Sequence, residues 1–239
     1  MRPSIGQNGR VSQCSNCDVR FVRIRILQRL GAGRETLYRS IVTDQSRIQQ
    51  ILEFWFGELD ANGHAAPEQT KIWFSKDVEL DARMRERFGA DVERAARGEL
   101  DGWKQDPRGR LALIILLDQF SRNIYRGTAG AFGNDARALE LALEGLRNGE
   151  ERQLRDAERH FLLMPLMHSE NLDAQNLCVD TFRRMEAEQR EAVKGGLRYA
   201  ELHRDIVARF GRFPHRNALL GRASTPEEIE FLKQPNSSF

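Results

Sequence analysis

The sequence predicts an all-α protein made of antiparallel helical hairpins. Apolar residues recur at helical spacing through the body, as at Leu139, Ala142, Leu143 and Leu146. Capping residues and glycines punctuate those periodic segments, so each helix has a legible start and stop. No run of alternating β-branched segments joined by two-residue turns occurs in the body.

Taken in order, Asp44 reads as the N-cap of a first helix whose Ile48, Ile51, Leu52 and Trp55 share a face, with Gly57 closing it. The segment DANGHAAP is a loop, and Pro67 opens the next helix. From Lys76 to Leu100 the chain is densely charged, with Val78, Met84, Phe88 and Val92 as sparse anchors. That pattern predicts one or two surface helices broken near Gly89. Asp106-Pro107 supplies an N-cap and a first-turn proline for a helix over 107–123, and Asn134 caps a helix that stops before Gly149. Helices follow at about 155–168, 171–187 and 189–210, and Thr225-Pro226-Glu227-Glu228 has the form of a capping box.

Charge divides the chain. Residues 1–45 hold eight arginines against three acids, whereas the rest holds 29 basic and 32 acidic residues. Residues 1–43 therefore read as a basic, poorly ordered extension or an upstream start, and 44–239 as a single all-helical domain. The Arg-rich, acid-poor start also resembles an organelle transit peptide, while VRFVRIRIL lacks the apolar core of a secretory signal. A weakly acidic body argues against general nucleic-acid binding, which needs a basic face. The longest apolar runs have seven residues each, too short for a membrane span, and the expected location is cytoplasmic. Cys14-x-x-Cys17 and Cys178 lack the second ligand pair of a zinc site and read as reduced thiols, so no metal is expected. No P-loop, no GxGxxG and no HExxH is present, and no cofactor is expected.

The candidate site comes from two helices that are apolar all round and then end in polar residues. Leu111 to Leu117 runs into Asp118-Gln119-Phe120-Ser121-Arg122-Asn123, and Phe161 to Met167 runs into His168-Ser169-Glu170. Helices apolar on every side are buried, so these polar groups leave a core. Consecutive helices with short connections pack antiparallel, so parity places the ends of 107–123, 155–168 and 189–210 together; an extra helix inside 124–134 would reverse it. The third end is RFGRFPHRN, where Gly211 permits a left-handed stop and Pro214 constrains the turn bearing His215 and Arg216. Candidate ligand-binding residues are Asp118, Gln119, Arg122, Asn123, His168, Glu170, Arg212, His215 and Arg216. Asp118 and Arg122 stand four apart and can pair, and if they only neutralise each other the cluster is structural. His203 lies on an apolar stripe and reads as a hydrogen-bonded core histidine.

ILEFWFG at 51–57, LDQFSRNIYRG at 117–127, FLLMPLMHSE at 161–170 and FGRFPHRNALLGRASTPEEIEFL at 210–232 together resemble the bacterial domain-of-unknown-function 924 family. The resemblance runs from about 46 to 232. It implies a tetratricopeptide-like helical fold and carries over no catalytic residue. The expected function is binding of a small anionic molecule or an acidic peptide in a polar pocket at the helix ends. The alternative is a metal-independent hydrolase or transferase with His168 as general base and Arg216 stabilising negative charge.

Overall fold

The computed structural model describes residues 32–190 and 195–238. Its α-helices are α1 (Ala32–Phe56), α2 (Pro67–Phe74), α3 (Val78–Ala96), α4 (Pro107–Ile114), α5 (Ser121–Ile124), α6 (Asp135–Arg147), α7 (Asp156–Met167), α8 (Leu172–Ala187), α9 (Gly196–Phe210) and α10 (Pro226–Phe231). Among the described residues there is no strand, only an isolated bridge between Leu59 and Ala65. The fold is all-α. Ser46–Phe239 forms a compact unit.

Several starts and stops follow the predicted chemistry. The Asp106 side chain accepts from the Gly109 amide and Pro107 takes the first turn of α4, while Thr225 and Glu228 form the capping box of α10. Gly211 ends α9 at φ 68°, the left-handed conformation that a Cβ disfavours. Gly109 is required for a different reason: a Cβ there would stand 2.2 Å from the Trp103 carbonyl oxygen.

Several boundaries differ from expectation, among them the helix expected from 189, which starts at Gly196. Asp44 is not an N-cap, because α1 already begins at Ala32 and no glycine or proline interrupts it between Gly33 and Gly57. Within the expected extension, residues 1–31 with Cys14 and Cys17 lie outside the described residues, and 32–43 are helical. Gly89 does not break α3, since one interior glycine costs only about 1 kcal/mol and Leu80, Met84, Phe88 and Val92 bury a continuous stripe across it. Asn134 occupies the cap position of α6 but makes no capping bond; its amide instead donates to Ser121 Oγ at 3.1 Å.

The core explains where the polar ends must go. Trp55, Phe56, Trp73, Phe120 and Phe161 interlock mostly edge to face, with centroids 4.8–6.1 Å apart along the chain Trp55–Phe120, Trp55–Phe161, Phe56–Phe161, Phe56–Trp73 and Trp73–Phe161. Leu111–Leu117 and Phe161–Leu163 are buried on every side, as an all-apolar circumference requires. Between α4 and α5 the backbone opens into a π-helical stretch, Ile115–Phe120, and Leu116 O accepts from the Ser121 amide five residues on. Such widened turns recur at functional sites. This one carries Asp118 to full burial.

Candidate functional site

Asp118 is the centre of a polar cluster built from four segments. Arg122, one turn later on α5, brings Nη1 to 2.9 Å from Asp118 Oδ1, and Gln119 Nε2 donates to Oδ2. His168, the C-cap of α7, places Nδ1 at 2.8 and 3.0 Å from the two carboxylate oxygens. Arg122 also grips Asp135, the first residue of α6, through two bonds of 2.9 and 3.0 Å. Arg216, on the short turn Pro214–Arg216 after α9, reaches the same Asp135 at 3.1 Å and donates to the His168 carbonyl at 2.9 Å. Its guanidinium lies over Phe132 and Phe213, with ring centroids at 4.7 and 4.5 Å.

The electrostatics follow from this crowding. Burial alone would raise the Asp118 pKa, but Arg122, His168 and Gln119 stabilise the anion and hold it well below the usual carboxylate range. An ionised carboxylate only accepts, so the proton between them sits on His168 Nδ1 and leaves Nε2 as an acceptor. Burial and then the Arg122 charge push the His168 pKa down against the pull of Asp118, so the ring is neutral at pH 7. Burial, reinforced by Arg122, lowers Arg216 to about 10. Its Nε is buried without a hydrogen-bond partner, and so is His215 Nδ1. Burial and then Arg216 lower His215 to about 4.

The nine expected residues divide into groups. Asp118, Gln119, Arg122, His168 and Arg216 meet directly, and His215 adjoins them through Phe213, whose ring centroid is 5.6 Å from its own. Glu170 borders the cluster: it accepts from the Phe213 amide at 2.8 Å and pairs with Arg222 at 2.7 Å, and these contacts outweigh burial to lower its pKa. Arg212 belongs to an outer clamp, paired at 2.6 Å with Glu228, which also caps α10 and accepts from Asn217. Asn123 turns away and donates to Asp81 on α3 at 2.8 Å, alongside Arg126. His203 is a core histidine, its Nδ1 2.7 Å from the Tyr199 carbonyl oxygen, and Cys178 is a buried thiol whose pKa burial raises.

Sequence reasoning missed Asp135, Phe132 and Arg222. Asp135 stands in the first turn of α6, and its shared role between Arg122 and Arg216 depends on contacts across 13 and 81 residues. Among the described residues no three His, Cys, Asp or Glu side chains converge as metal ligands, and no helix is long and apolar enough to cross a membrane.

The family described as bacterial protein of unknown function (DUF924) matches residues 51–236. No curated protein matches the chain. Among solved structures, a protein of unknown function from Agrobacterium tumefaciens, ATU0120, is 38% identical, covering 79% of this chain and 98% of its own with a TM-score of 0.69. With most of its body matched in this way, the chain belongs to the DUF924 family of bacterial proteins.

Proposed function

We propose that this protein binds a small anionic molecule at the Asp118–His168–Arg216 cluster. The observation that carries the reading is Arg216, a buried cation with one shared carboxylate and an Nε that lacks an acceptor. An uncompensated donor in such a setting costs about 1–3 kcal/mol, which an incoming oxyanion removes. The arginine fork suits a carboxylate or phosphate, and His168 Nε2 supplies an acceptor for a hydroxyl on the same ligand. The tetratricopeptide-like arrangement implied by the family resemblance is supported by antiparallel pairing of α6 with α7 and of α7 with α8.

Inorganic phosphate titrated against the full chain then raises Tm with the logarithm of its concentration above Kd, by about 3 °C at roughly ten times Kd. Sodium chloride at equal ionic strength does not, and Arg216→Met abolishes the rise while remaining folded. A phosphate response indifferent to that substitution, or none for phosphate and small carboxylates alike, ends the proposal.

A second reading rests on Asp118 itself. A buried carboxylate that fixes Nδ1–H and frees Nε2 is the arrangement of a histidine general base. On that reading the full chain hydrolyses p-nitrophenyl acetate in the presence of a chelator, and His168→Gln removes the activity without shifting Tm by the amount a core disruption would. Equal rates for both proteins discard it.

A further inference from the structure

A separate groove of about 720 Å³ lies between α6 and α8. Both helices pack on α7. Along α6, Asp135 shares Arg216 with the His168 carbonyl, Gly145 faces Leu162, and the Glu151 carbonyl beyond the helix accepts from Arg159. Along α8, Cys178 lies against Leu163 and Phe182 against His160. Residue numbers on α7 fall as those on its neighbours rise, so α6 and α8 run in the same direction. Their last turns therefore share one end of the groove.

Its floor and its rim have different chemistry. Leu139, Leu143 and Leu146 recur at helical spacing on α6 and are only half-buried, and Leu177 faces them from α8 with 39% of its surface exposed. At the shared end stand Arg147 on α6, Arg184 on α8 and Arg152 on the turn Glu150–Gln153. Arginines are favourable at helix C-termini, but among the described residues neither Arg147 nor Arg184 forms an ion pair. Arg184 has only Thr181 Oγ1 at 3.3 Å, and Arg152 is almost free in solvent, 3.7 Å from Glu151. Glu151 Oε2 is buried while its Oε1 faces Arg152, and the exposed acid Glu140 marks the opposite half.

We propose that this groove docks one amphipathic helix of a partner protein, with its apolar stripe on the four leucines and acidic side chains at one end against Arg147, Arg152 and Arg184. From Ala136 to Arg147 the wall spans ~16 Å at 1.5 Å per residue, room for about three turns. Apolar anchors at i, i+3, i+4 and i+7 are how a helix engages such a groove. Charge complementarity selects the occupant. Residues 1–31 of this chain carry six arginines and one acid, so the same rim repels them. The inference is independent of the anion site, because no groove residue touches Asp118, His168 or Arg216.

The probe is a fluorescein-labelled synthetic helix of about four turns, with leucines at i, i+3, i+4 and i+7, glutamates in one terminal turn and lysines in the other. Anisotropy against the full chain is expected to rise saturably, more weakly at high salt. Leu143→Lys and the double variant Arg147→Glu with Arg184→Glu each lower affinity at least about tenfold. Arg147 and Arg184 are exposed and Leu143 is half-buried, and circular dichroism with Tm verifies that the variants stay folded. A peptide with both terminal turns glutamate-free and lysine-rich binds the double variant better than the parent. Arg216→Met leaves all of this unchanged while removing the phosphate response. Flat anisotropy, affinity unaltered by both variants, or indifference to peptide charge overturns the proposal. So does a concentration-dependent dimer of the chain abolished by Leu143→Lys, which would make the groove a self-interface.

Discussion

Arg110 and Arg216 are both nearly withdrawn from water, at 2% and 6% exposure. Arg110 holds Glu150 through Nε at 2.7 Å and Nη2 at 3.1 Å, Glu144 at 3.0 Å and the Lys104 carbonyl at 2.8 Å. Two carboxylates thus serve one guanidinium, and although burial opposes it, Glu150 and Glu144 raise its pKa. Arg216 shares its one carboxylate with Arg122 and has an empty Nε, and its pKa is lowered. Exposure is similar, but desolvation prevails at Arg216 and is overcome at Arg110. What separates a scaffold cation from one that a ligand can complete is the supply of acceptors around it.

The surroundings diverge in a way that acid exposes most strongly. Burial lowers His203 to about 3 and His215 to about 4, and the Arg216 charge adds to it in both. A histidine in the unfolded chain titrates near 6.5, so below that pH the unfolded state binds the proton first and stability falls. Each contributes up to about 1.4 kcal/mol per pH unit once the unfolded histidine is protonated, so between pH 6.5 and 5 the pair removes about 3 kcal/mol. Urea midpoints at stepped pH measure it. His203→Asn takes one proton's worth out of that slope, whatever it does to the baseline, and Glu144→Gln on the Arg110 side leaves the slope alone. An equal change from both substitutions would erase the contrast.

Next in size is Arg110→Met. Removing the shared cation leaves Glu144 and Glu150 facing each other in a partly buried site, and about 3 kcal/mol of unfolding free energy is expected to go. Smallest is Arg216→Met, within about 1 kcal/mol in phosphate-free buffer, since Asp135 keeps both bonds to Arg122. The two urea curves, run side by side, decide the matter: losses of equal size would make Arg216 a scaffold residue like Arg110.

Much of the cluster was legible. The change from a fully apolar helix to Asp118, and from Met167 to His168, located two ends, and parity brought them to the Arg216 turn. The intervening segment 124–134 holds a short 3-10 turn, Ala129–Phe132, and the three ends still meet. Asn123 was grouped with Asp118 by proximity in sequence, although five residues at 100° each set it about 140° around an ideal helix. Its pairing with Asp81 fits that rotation. Arg212 was legible differently: Glu228 of the capping box was in view, yet its second duty as the Arg212 partner needed α9 and α10 to be placed beside each other.

By itself the sequence determined the helical class, most helix termini and which residues had to be buried, because those depend on spacing and on local hydrogen bonding within a few residues. Tertiary structure alone decided that Asp135 serves two arginines, that Arg110 is fully compensated while Arg216 is not, and that α6 and α8 leave a groove above α7. Pairing of charges over long sequence separations depends on distances of a few ångströms in a packed interior, where the Coulomb energy and the desolvation cost are both large and nearly cancel. No local pattern in the chain records the sign of that difference.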